Sequence, residues 1–218
     1  MIGDTFNIEP EYYQTAEAIW ELAQTYMPHY QTQRHCISIA GESGSGKTIT
    51  AVCLANLLNE KGIKTEILHQ DDYFFFPPHT NHQKRIKDLN WVGTQEVNLV
   101  LLQAHVAAFL AGETHINKPL VNYNENFILP ETHYFTDISV LIIEGTYTSL
   151  LTDMATTIFI QRDYKDTLPQ RLERGRDVIT EFTNQVLEIE HQIIVEQGKT
   201  ADIVVEKDYR VSHANFRR

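Results

Sequence analysis

The sequence predicts a doubly wound α/β fold: a mainly parallel sheet with helices on both faces. Three observations carry that expectation. Short, nearly continuous apolar runs, CISIAG (36–41), KTEILHQ (64–70), VLIIEG (140–145) and TTIFIQ (156–161), read as strands covered on both faces, with ADIVVEK (201–207) as a weaker fifth. Stretches of helical periodicity at 47–62, 94–112 and 178–198 lie between them. Gly62 stands where a helix C-cap belongs, and the other two stretches run up to Gly112 and Gly198. In such a fold ligands bind at the carboxyl ends of the strands.

Before the first strand, Tyr12, Ala16, Ile19, Trp20, Ala23 and Met27 recur at helical spacing, so Glu11 to Met27 reads as an amphipathic helix. It would pack on its own domain or on a partner. Residues 1–33 are accordingly an N-terminal helical extension and 34–218 the main domain. Two stretches interrupt the alternation, about 75–92 and 113–137, and are expected as irregular or hairpin-like functional insertions.

The whole chain has 218 residues, enough for one domain with a sizeable core. A formal net charge of −11 argues against general nucleic-acid binding, which needs clustered Lys and Arg. Cys36 and Cys53, the only cysteines, both sit in apolar stretches, which suits buried thiols in a reducing compartment. No run of about 18 apolar residues occurs, and the first residues lack a basic flank. These features set the expectation of a cytoplasmic protein with no membrane partner, and they are compatible with a homo-oligomer.

The chemistry begins at GESGSGKT, Gly41 to Thr48, which fits G-x-x-x-x-G-K-[ST] between a strand and a helix. Glycines let backbone N–H groups converge on phosphate, and the helix N-terminus adds partial positive charge. Lys47 reaches the outer phosphates and Thr48 can ligate Mg²⁺. The nucleotide-binding set is therefore Gly41, Ser43, Gly44, Ser45, Gly46, Lys47, Thr48 and Thr50, in a P-loop NTPase architecture with ATP and Mg²⁺ as ligands.

In-line phosphoryl transfer also needs carboxylates at strand ends, and Asp71, Asp72 and Glu144 qualify. If the chain stays extended after KTEILHQ, adjacent side chains point to opposite faces, so one of the two aspartates enters the site. Asp71 is assigned to it, and Glu144 to Mg²⁺, partly through water. Arg171, Arg174 and Arg176 in QRLERGRD form a cationic cluster suited to a small lid over about 164–177. The alternative is an exposed helix in which they pair with Glu173 and Asp177. His79 and His82 suggest no tetrahedral metal set.

Together these segments resemble the uridine kinase-like branch of P-loop kinases, which includes uridine–cytidine kinase, phosphoribulokinase and bacterial pantothenate kinase. The likeness runs from about Cys36 onward. GESGSGKT is similar to the family's P-loop, HQDDYF to its S-Q-D-S-F-Y segment, IIEGTY to its V-E-G strand, and ERGRD to the lid signature of its uridine kinases. The resemblance implies that 34–218 is a P-loop kinase domain in which Asp71 is the catalytic base, assisted by Lys47 and Arg174. It further implies Glu144 as the Mg²⁺-associated acid, Arg174 and Arg176 as lid contacts to ATP with Arg171 a looser match, and Glu96 at a ribose-binding aspartate.

The departures lie on the acceptor side. NWVGTQE stands where the family has D-H-P-D-A-F-D, and PLVNYNEN where it has P-x-Y-D-F and a following histidine. Val121 and Asn126 occupy the places of the base-reading Tyr and His, and Phe74 replaces another tyrosine. A pocket without those donors loses discrimination of about 10⁴ or more. Phe74, Glu96, Tyr123 and Asn126 are the substrate-binding candidates, with the Phe74 to Pro78 segment as a pocket wall; Phe75 and Phe76 are equally readable as core. The expectation is a kinase that phosphorylates a hydroxyl of a small molecule. A uridine or cytidine kinase with a divergent pocket and a nucleotide-binding regulatory protein are the alternatives.

Overall fold

The computed structural model describes residues 8–174 and 180–214. Helix α1 (Pro10–Ala23) starts on a proline whose fixed φ suits the first helical turn, with Glu11 next to the positive helix end. It ends four residues before the expected Met27, in a 3₁₀ turn at Gln24–Tyr26. Pro28 follows Met27 and pushes it out of the helical region, to φ −120° and ψ 65°.

Strand β1 (His35–Gly41) leads through the phosphate-binding loop into α2 (Lys47–Glu60). Gly62, at φ 78°, closes α2 as expected, with Ile63 N donating to Leu58 O at 2.9 Å. Strand β2 (Thr65–His69) stops earlier than the expected 64–70, and Gln70–Tyr73 is a 3₁₀ turn rather than extended chain. The first insertion contains helix α3 (Pro78–Lys87), begun by a second N-terminal proline.

Helix α4 (Leu99–Leu110) begins five residues after the expected Thr94. Thr94–Glu96 forms its own 3₁₀ turn, Val97 pairs with Phe74, and the Asn98 side chain caps the helix by accepting from Leu101 N at 3.0 Å. The second insertion is an antiparallel hairpin, β3 (His115–Asn122) and β4 (Phe127–Tyr134). After it come β5 (Val140–Glu144), β6 (Thr156–Ile160), α5 (Leu168–Arg174), α6 (Glu181–Ile194) and β7 (Ile203–Val205). A final strand, β8 (Val211–His213), was not anticipated; it adds an antiparallel edge.

The main sheet has the order β2-β5-β1-β6-β7-β8, parallel except for β8. Side chains alternate between two apolar layers, as the two-residue strand period requires. Ile37, Ile39, Val140, Ile142, Ile158 and Ile160 face α1 and α2. Cys36, Ala40, Leu141, Ile143 and Phe159 face the layer that holds Leu102, Val106 and Phe109 of α4 with Ile194 of α6. Burial raises the thiol pKa of Cys53 to about 11 and, together with the Asp153 charge, that of Cys36 to about 12. Among the described residues no helix is long and apolar enough to cross a membrane.

Helix α1 belongs to the first of these layers: Tyr12, Ala16, Ile19, Trp20 and Ala23 are buried against α2 and the sheet. Ile19→Ala should therefore lower unfolding free energy by about 2–5 kcal/mol. Urea denaturation of the full chain checks this, and a loss below about 1 kcal/mol would show α1 lies outside the cooperative unit.

Candidate functional site

The parallel register decides which groups meet at the carboxyl end of the sheet. β5 lies between β2 and β1, so Glu144 pairs in register with His69 on one side and Ile39 on the other. His69 Nδ1 and Glu144 Oε1 are 2.7 Å apart. Burial opposes charge on both, yet their mutual hydrogen bond wins and pushes the His69 pKa up and the Glu144 pKa down. The Lys47 charge and a hydrogen bond from the Thr48 hydroxyl also favour the Glu144 carboxylate. The two expected metal ligands, Thr48 and Glu144, are thus brought together.

Asp71 enters this group through the 3₁₀ turn. The turn is pinned by Gln70, whose Oε1 accepts from Tyr147 N at 2.7 Å in the segment after β5. Burial raises the Asp71 pKa first, and the Glu144 charge raises it further, against the pull of Lys47 and His69. Asp72, its neighbour, is a structural group. Its oxygens accept from Lys118 Nζ at 2.8 Å and Val121 N at 3.0 Å, and Lys118 also pairs with Glu131 at 2.9 Å. Burial opposes the Asp72 charge, but Lys118 outweighs it and holds the pKa below the usual carboxylate range. What separates the two aspartates is their partners, not the alternation of an extended strand.

The phosphate-binding loop is braced from the lid side. Lys47 Nζ donates to Glu42 O at 2.8 Å. The Glu42 carboxylate lies 2.5 Å from His191 Nδ1 of α6 and accepts from Tyr164 N at 2.7 Å. A Cβ placed on Gly44, at φ 78°, would lie 2.7 Å from Arg171 Cγ, so α5 rests directly on the loop. Arg171 Nη2 donates to Tyr164 O at 3.0 Å, while its Nε and Nη1 are buried without a partner among the described residues. Ser45 Oγ is also buried and unpartnered. Orphaned donors around an open glycine turn fit a polyanionic phosphate chain. Thr50 is buried within the first turn of α2. Arg176 and the Arg174 side chain lie outside the described residues.

On the acceptor side the candidates disperse. Glu96 is fully buried and takes Arg85 on both oxygens, at 2.6 and 3.0 Å, as well as Asn81 Nδ2 and Gly93 N. Arg85 also reaches Glu190 Oε1 of α6 at 3.0 Å. The Glu96 carboxylate is therefore occupied by its own chain. Phe74 packs on the α4 layer and bridges to Val97. Tyr123 and Asn126 sit at the hairpin tip against α3: the Tyr123 ring lies 6.0 Å from that of His79, and Asn126 Oδ1 accepts from His79 N at 2.8 Å. Phe76 packs against Trp91 with the rings tilted, whereas Phe75 is exposed.

Several site groups escaped the sequence reading. Glu42 was visible as an acid inside a phosphate-binding loop, and His69 as the residue closing the strand before Asp71. Arg85, Glu190 and His191 had no local signal.

A glycine loop between strand and helix, with a lysine, a strand-end acid and a second carboxylate beside it, is the arrangement of a P-loop nucleotide-binding protein. A model of the phosphoribulokinase / uridine kinase family matches residues 36–212, and the chain belongs to that family. A bifunctional alpha-galactosidase/sucrose kinase of Mediterraneibacter gnavus is 29% identical over 88% of this chain, which spans 22% of that protein. A uridine kinase of Bacillus cereus is 32% identical over 78% of this chain and 84% of its own length. A solved D-glycerate 3-kinase from Cryptococcus neoformans shares the fold, with a TM-score of 0.63 at 12% identity over 94% of this chain and 99% of its own.

Since folding depresses the Asp72 pKa, its stabilisation is present above the unfolded carboxylate value of about 3.9 and is lost as pH falls through the lower folded value. Asp72→Asn leaves Lys118 short of a carboxylate and should cost about 3–5 kcal/mol at neutral pH. It should also flatten the stability curve below about pH 4. Urea titrations at several pH values measure both, and an unchanged acid limb would contradict the assignment.

Proposed function

We propose that the chain transfers the γ-phosphoryl group of ATP to a hydroxyl of a small molecule. The observation that carries this reading is the convergence of Asp71 on Glu144 and Lys47 at the mouth of the phosphate-binding loop. A nucleotide switch needs no second carboxylate there, so the convergence weighs against a purely regulatory role.

Loop amides, Lys47 and the unpartnered Arg171 donors would hold the phosphate chain in line, with Arg174 and Arg176 proposed to join them from the lid. Thr48 and Glu144 would hold Mg²⁺, partly through water, and the bound ion would neutralise charge on the phosphates. Asp71 accepts the proton of the acceptor hydroxyl. Burial and the Glu144 charge raise its pKa, which makes its carboxylate a stronger base for that proton.

Val121, Asn126 and Phe74 replace the pyrimidine-reading groups of uridine kinases, so the acceptor proposed here is a hydroxyl compound other than a pyrimidine nucleoside. Similarity to a sucrose kinase supports a sugar hydroxyl. Phe74 would wall the pocket, and Tyr123 and Asn126 would approach it from the hairpin tip. Glu96 would contribute by holding Arg85 in place. The second reading, a uridine or cytidine kinase with a rebuilt pocket, is supported by the 32% identical uridine kinase.

ADP release from ATP–Mg²⁺ across sugars, polyols and nucleosides separates these readings. Asp71→Asn should lower acceptor-stimulated turnover by about 10²–10⁴-fold while ATP still binds. Turnover equal to wild type would remove Asp71 as the base, and stimulation by uridine alone would select the second reading.

A further inference from the structure

We infer that helix α1 is part of the nucleotide site: the Tyr12 ring seats the glycine turn of the phosphate-binding loop and thereby sets affinity for the nucleotide. This rests on the kinase reading above, because it takes the loop as the nucleotide's anchor.

Tyr12 lies outside the stretch that matches the family, residues 36–212. Nevertheless a Cβ built on Gly46 would lie 3.1 Å from Tyr12 Cε1 and 3.2 Å from its phenolic oxygen. Gly46 is the residue before Lys47, at φ 98°, where loop becomes helix. The tyrosine ring fills the volume that a side chain at 46 would take and closes the turn from outside.

Tyr12 is itself held in place. Its ring meets Tyr209 edge to face at 5.4 Å, and the Tyr209 hydroxyl donates to the Tyr12 oxygen at 3.4 Å. Arg162 Nη1 donates to that same Tyr209 hydroxyl at 2.8 Å. Arg162 stands just beyond β6, at the approach to the lid. Tyr209 sits left-handed, at φ 66°, in the turn between β7 and β8, where its N–H donates to Glu206 O at 3.0 Å. A single chain of contacts therefore joins α1, the phosphate-binding loop, the end of β6 and the last turn of the sheet.

Converging amides bind phosphate only while their turn is held open, and in enzyme sites a misplacement of about 1 Å can cost about 10²-fold in rate. Tyr12 touches the loop and not the reacting atoms, so it is a positioning residue. The ring does the seating; Phe at this position keeps it.

The test is the Kd of the full chain for ATP with Mg²⁺, measured by titration calorimetry below the unfolding range of every variant. Trp20→Ala is the control: Trp20 is buried on the same helix but meets Tyr30 edge to face, at 5.2 Å. Tyr12→Ala should weaken binding about tenfold, Tyr12→Phe by less than about twofold, and Trp20→Ala not at all. Should the alanine variant not fold, Tyr12→Leu, which keeps apolar bulk without the ring, takes its place with the same expectation. Wild-type affinity in Tyr12→Ala, or equal weakening in Trp20→Ala, would overturn the proposal and leave the kinase reading standing. A wild-type chain that binds no ATP would overturn both.

Discussion

Asp71 and Glu144 share one buried end of a parallel sheet, and the repulsion between two carboxylates there has to be balanced by whatever surrounds them. The balance is uneven. Glu144 receives His69, Lys47 and the Thr48 hydroxyl, which together keep it ionised despite its burial. Asp71 is left with a raised pKa. One strand register thus gives two acids opposite proton affinities: Glu144 is held as an anion, and Asp71 takes up a proton more readily. The positions of the loop, the 3₁₀ turn and β5 are all constrained by this arrangement.

The acceptor side follows a different rule. Its buried charges are paired before any substrate arrives: Lys118 between Asp72 and Glu131, Arg85 between Glu96 and Glu190. Such pairs add little net stability compared with apolar packing, but breaking one strands a charge. Their value here is geometric. Asp72 ties the hairpin to the turn that carries Asp71, and Arg85 ties α3 to α6. The two insertions are in this way referenced to the carboxyl end of the sheet.

The strands and the phosphate-binding loop were legible in the sequence because their signals are local: apolar runs, glycine spacing, a lysine before a helix. Asp71 and Glu144 were legible as acids at strand ends. The division of labour between Asp71 and Asp72 was not, because it depends on Lys118 and on a Gln70–Tyr147 contact that spans 77 positions. Glu96 read as a ligand for the same reason: its partner Arg85 lies 11 positions before it, and the second carboxylate on that arginine, Glu190, lies 94 after. The start of α4 was missed because Val97 is drawn into a bridge with Phe74, a tertiary contact that overrides helical propensity.

Glu42 completes the logic of the site. An acid within a phosphate-binding loop would repel the phosphates it surrounds if its carboxylate turned inward. Both of its oxygens are instead engaged, one by His191 and the other by the backbone of Tyr164. That removes the repulsion and uses the charge to fasten the loop to α6 and to the approach of α5. Arg171 then reaches Gly44 from a segment already anchored, with two donors unspent among the described residues. Since loop and lid base are held through the same carboxylate, moving the lid approach away from the loop breaks the bond from Tyr164 N to Glu42, and the cost is small only where water takes over that bond.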